Sequence, residues 1–122
     1  MNTGDTAFIL VSAALVMLMT PGLALFYGGM VRNKNVLGTI MQSFVIIAVI
    51  TVEWVLWGYS MSFGPDKLGI TGGLEWFGLT GVGLQPSTTY ATTIPHQLFM
   101  IYQCMFEIYY LIYQLCLFRF TK

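Results

Sequence analysis

The sequence predicts an all-α integral membrane protein with three transmembrane helices. Hydrophobic residues make up 57% of its 122 residues and charged residues 8%, against about 25% charged in an ordinary water-soluble domain. Three apolar runs each reach the roughly 20 residues that a helix rising about 1.5 Å per residue needs to cross a 30 Å hydrocarbon core. Basic residues gather just behind the first and third of these runs, as in short cytoplasmic segments.

Span one is predicted over residues 6–31. It contains "TPGLALFYGG", Thr20 to Gly29, four of whose residues weaken a helix; interior proline costs about 3 kcal/mol and glycine about 1 relative to alanine. Pro21 and Gly22 are expected to bend the helix, which lipid tolerates only where neighbouring helices or a cavity satisfy the freed carbonyl. Gly28 and Gly29 are expected to admit a close neighbour, and Phe26 and Tyr27 project from the same turn. The hydrophilic "RNKN" then makes a tight turn.

Span two is predicted over residues 36–63. Glu53 falls inside the hydrocarbon core, where an ionisable group marks a functional or structural contact, and is expected to be protonated or hydrogen-bonded to another helix. Its outer end, "WGYSMSFG", forms an aromatic belt with Gly58 as a packing notch. The outer loop, residues 64–94, is rich in Gly, Thr and Pro. Trp76 and Phe77 are expected to seat at headgroup level.

Span three is predicted over residues 95–118, with Pro95 in its first turn and Thr93 as a cap. The single histidine, His96, is expected at the surface. Tyr102, Phe106, Tyr109, Tyr110 and Tyr113 recur three or four apart in successive pairs and form a broad aromatic stripe. Such a stripe serves packing or, because a π-face attracts a small cation by about 0.5–2 kcal/mol, cation recruitment. Cys104 and Cys116 lie too far apart along one helix for a disulfide and read as packed or lipid-facing thiols.

Arg32 and Lys34 follow span one and Arg119 and Lys122 follow span three, whereas the outer loop holds Lys67 beside Asp66 and Glu75. This bias places the N-terminus and the loop outside, and the "RNKN" turn and C-terminus inside. The first basic residue is Arg32, so span one lacks the basic start of a signal peptide and is expected to be retained. Zero net charge offers no basic face to nucleic acid. No nucleotide, metal or nucleophile motif occurs, so no enzyme, metal or cofactor is expected.

"LVMLMTPGLALFYGGMVRNKNVL", "WVLWGYSMSFG" and "YQCMF" together resemble the N-terminal end of the ammonium transporter family (Amt/Mep/Rh), over about residues 5–106. The resemblance implies the first three of eleven helices around a narrow pore, an outside N-terminus, a multi-pass place in the cell membrane and a homotrimer. It also implies ammonium or ammonia as substrate, the lipid bilayer as surroundings and room for a regulatory protein at the cytoplasmic face. Phe106 matches a phenylalanine gating the outer mouth, and Tyr102 an aromatic of the outer ammonium recruitment site. Phe26 and Tyr27 match a pair lining the inner pore, and Gln103 a glutamine in helix contact.

The family's recruitment tryptophan and serine, its supporting aspartate and its two pore histidines belong to later helices. Residues 1–122 are therefore expected to form a truncated or partial transporter domain. Residues 107–122 depart from the small-residue run leading to Ala-Glu-Arg; Glu107 and the tyrosines stand there instead, which suggests a frameshift or an incomplete gene. Two other readings stay open: a small non-transporting membrane protein that associates with full-length subunits, and an oligomer of three-helix subunits forming an unrelated channel, with Glu53 and Gln103 facing a shared lumen.

Overall fold

The computed structural model describes residues 1–67 and 69–120, the side chains of 119 and 120 apart. Arg119 and Lys122, two of the basic residues behind the predicted orientation, thus fall outside the described side chains.

Helix α1 runs over Thr3–Met30. It begins earlier than predicted because Asn2 caps it: the Asn2 carboxamide oxygen accepts from the Gly4 N–H at 2.9 Å, which satisfies one of the first-turn donors. Pro21 lies inside this helix, which continues across it. The space beside Gly22 is open, with no atom within 4 Å of where a Cβ would stand.

A single 3-10 turn, Asn33–Asn35, reverses the chain, closed by the Asn35 N–H donating to the Arg32 carbonyl at 2.7 Å. Helix α2, Val36–Glu53, continues through a π-helical turn, Trp54–Gly58, into α3, Tyr59–Phe63. In that π turn the Tyr59 N–H reaches back five residues to the Trp54 carbonyl. The wider turn carries the Glu53 carboxyl across Gly58: a Cβ at Gly58 would stand 2.8 Å from Glu53 Oε1. Gly58 is therefore the expected notch, and it accommodates a carboxyl from its own helix.

The loop after α3 contains short antiparallel pairs that the all-α expectation omitted: β1 (Asp66–Lys67) with β2 (Thr71–Gly72), and β3 (Pro86–Ser87) with β4 (Ala91–Pro95). Glycine makes the first pair fit, since a Cβ at Gly72 would stand 2.7 Å from the carbonyl oxygens of both Ser60 and Met61. Helix α4, His96–Phe120, follows directly. Pro95 belongs to β4, and Thr93 does not cap the helix as expected. Instead the Gln85 and Gly83 carbonyls accept from the His96 and Gln97 N–H groups, each at 3.2 Å, so the loop satisfies the orphan donors of the helix start.

Helices α1 and α4 start together, tied by the Asn2 N–H donating to the Thr93 carbonyl at 2.7 Å, and run in parallel with α2 antiparallel to both. Gly28 meets Ile40 of α2, its Cβ position 3.4 Å from Ile40 Cγ1, whereas the Cβ position at Gly29 meets no other part of the fold within 4 Å. One glycine of the pair provides the close approach. The α4 seam facing the other helices is Met100, Cys104, Ile108, Ile112 and Cys116, all buried, a strict four-residue repeat along one helix face. Both thiols are accordingly packed.

Candidate functional site

At the loop end, side chains of three segments converge. Tyr59, fully buried at 0% exposure, stacks on Trp76 at 5.7 Å and on Phe63 at 5.3 Å. Its hydroxyl lies 2.6 Å from His96 Nε2, a hydrogen bond whose donor is set by the histidine tautomer. His96 is 5% exposed and meets the Trp76 ring edge-to-face at 5.1 Å. The expectation of a surface histidine is thus corrected: burial requires a polar partner, and Tyr59 supplies it. Trp76 likewise turns inward, half-buried, whereas Phe77 is 50% exposed.

Ser60 fastens the loop beneath this cluster. Its hydroxyl donates to the Gly73 carbonyl at 2.7 Å and accepts from the Trp76 N–H at 3.0 Å, so a single buried side chain satisfies two loop backbone groups. Trp54 ties the π-helical turn to α4 through its indole N–H, which donates to the Met100 carbonyl at 3.3 Å. These four polar anchors, Trp54, Tyr59, Ser60 and His96, escaped sequence reasoning. The one available signal was their polarity within or beside apolar runs, which does not name the partner.

Along α4, Tyr102 and Phe106 meet edge-to-face at 5.0 Å and 80°. Phe106 is 41% exposed and Tyr102 half-buried. The predicted aromatic stripe flanks the buried aliphatic seam instead of forming it. Between α2–α3 and α4 opens a groove of about 560 Å³ lined by Trp54, Ser62, Phe63, Phe106, Glu107 and Tyr110 among others.

The inner candidates part company. Tyr27 is buried and belongs to the core cluster that includes Ile108, Ile112 and Cys116 of α4. Phe26, its ring centroid 5.6 Å from Tyr27, is 64% exposed. Glu53 is half-buried in an apolar groove of about 500 Å³ with Val49, Val52 and Trp57. Gln103 helps line the groove that contains Phe106.

Among the described residues, three helices are long and apolar enough to cross a membrane, Thr3–Met30, Asn33–Phe63 and His96–Phe118, which marks a membrane protein. The sequence model of the Ammonium Transporter Family matches residues 7–113, and the chain belongs to that family. It is 56% identical over 108 residues to an ammonium transporter of Bacillus subtilis, covering 88% of this chain and 26% of the relative. An ammonium transporter of Mycobacterium tuberculosis is 49% identical over 119 residues, covering 86% and 25%. Ammonium transporter 1 of Schizosaccharomyces pombe is 37% identical over 105 residues, covering 86% and 21%. The chain thus spans about a quarter of the length of the curated relatives it matches.

Proposed function

We propose that this chain forms the N-terminal part of an ammonium transporter of the cell membrane. On this reading α1, α2–α3 and α4 cross the bilayer with the N-terminus and outer loop outside and the Asn33–Asn35 turn inside. Tyr102 and Phe106 belong to the aromatic outer site that recruits ammonium. Phe26 and Tyr27 belong to the inner wall of an apolar pore that passes ammonia and a proton. Pro21, Gly22, Gly28 and Gly29 bend and pack the first helix against its neighbours. The working assembly is a trimer of eleven-helix subunits, so conduction needs eight further helices.

The observation that carries this reading is the Tyr102–Phe106 edge-to-face pair, with Phe106 left accessible on α4. Aromatic rings so placed attract a desolvated cation through their quadrupoles. The test is a chimera in which residues 1–106 replace the corresponding segment of the Bacillus subtilis relative, expressed in cells lacking their own ammonium transporters. Methylammonium uptake is expected from the chimera, reduced by Phe106→Ala, and absent from cells expressing residues 1–122 alone. A chimera that reaches the membrane as a trimer yet fails to transport overturns the reading.

A second reading rests on the exposed apolar face of α1, where Phe8, Leu18, Leu25 and Phe26 are each more than 60% exposed. Such a face suits contact with a full-length subunit as well as with lipid. It predicts co-purification of this chain with a tagged full-length transporter, and failure to co-purify removes it.

A further inference from the structure

The groove between α2–α3 and α4 joins three features that the transport reading does not use together. First, the residues that line it include the aromatic Trp54, Phe63, Phe106 and Tyr110 together with the acidic Glu107. Second, Glu107 is half-buried, and no hydrogen bond or ion pair to it occurs among the described residues. An ionisable group so placed within a membrane segment is a functional site by default. Third, no Lys or Arg stands between Lys67 and Arg119, nor between Lys34 and Lys67, so both groove-forming helices lack a basic residue along their walls.

Access follows from the chain path. Ser62 and Phe63 close α3 at the loop end, and Ser62 lines the groove together with Trp54, eight residues deeper. At about 1.5 Å per residue the groove therefore descends roughly 12 Å from the loop end of the bundle. Its volume of about 560 Å³ falls within the roughly 300–1,000 Å³ of small-molecule sites.

A carboxylate among aromatic faces is the chemistry that recognises a quaternary ammonium ion: the rings face the methyl groups, whose positive charge is spread and weakly hydrated, and the carboxylate balances the charge. We propose that this groove binds a small quaternary ammonium ion of the choline type, with Glu107 as its counter-ion. The inference rests on groove chemistry alone and holds whether or not the chain takes part in ammonium conduction.

The test uses the full chain in lipid nanodiscs, titrated calorimetrically with choline and separately with dimethylbutanol, in which carbon replaces the charged nitrogen. Saturable choline binding is expected, with dimethylbutanol and the Glu107→Gln variant each weaker by about tenfold. Absence of saturable choline binding overturns the inference, as does equal binding of the neutral isostere. Choline affinity unchanged in a folded Glu107→Gln variant removes Glu107 from the site. Should that variant misfold, the comparison of the two ligands on the unaltered chain decides alone. Methylammonium uptake by the chimera bears only on the transport reading, so the two fail separately.

Discussion

Replacing Tyr59 with phenylalanine removes one oxygen atom and little else. The ring keeps its stacking partners Trp76 and Phe63, but His96 Nε2 loses the hydroxyl now 2.6 Å away. Because His96 is 5% and Tyr59 0% exposed, bulk water has little access to replace it. A buried polar group left unsatisfied costs about 1–3 kcal/mol, so Tyr59→Phe is expected to destabilise the fold by about 2 kcal/mol, near 30-fold in the folding equilibrium. The same rule predicts an asymmetry. Replacing both partners, as in Tyr59→Phe with His96→Leu, is expected to cost less than the two single changes added together, because neither leaves an orphan. Detergent-driven unfolding in bicelles, followed by circular dichroism, measures all four corners of this cycle. A Tyr59→Phe effect below about 0.5 kcal/mol, or strict additivity of the pair, would refute the argument.

Two further expectations concern packing. Gly72→Ala places a methyl group against the backbone carbonyls of Ser60 and Met61, 2.7 Å from each; it is expected to cost about 1–3 kcal/mol and to speed proteolysis at Lys67 in the loop, and unchanged cleavage would count against the close approach. Ile112→Ala empties a site that is 0% exposed, and a loss of about 2 kcal/mol is expected in the same unfolding assay. That figure sits at the low end for core truncations because lipid removes most of the transfer term while the cavity remains.

Much of the molecule was legible before any coordinates. Apolar run length placed the three long apolar helices to within a few residues, and "RNKN" marked the turn, since charged and amide side chains do not stay in hydrocarbon. Family membership was equally legible, because "PGLALFYGGMVRNKNVL" is far more specific than hydrophobicity. The candidate site was legible only in part. Tyr102 and Phe106 do form the pair that their four-residue spacing allowed, yet spacing could not say that Phe106 would be accessible and Tyr102 half-buried.

What the sequence by itself determined was therefore the lengths, the turn and the residue types available on each helix face. Only the tertiary structure decided which faces are covered: Tyr27 inward and Phe26 outward, Gly28 against Ile40 and Gly29 open, His96 and Trp76 drawn under the loop. The physical reason lies in the solvent. Water separates polar from apolar faces and so writes burial into a sequence pattern, but lipid is as apolar as a protein core. A membrane helix can be apolar all round, and the covered side is chosen by steric fit and by hydrogen bonds across segments far apart in the chain.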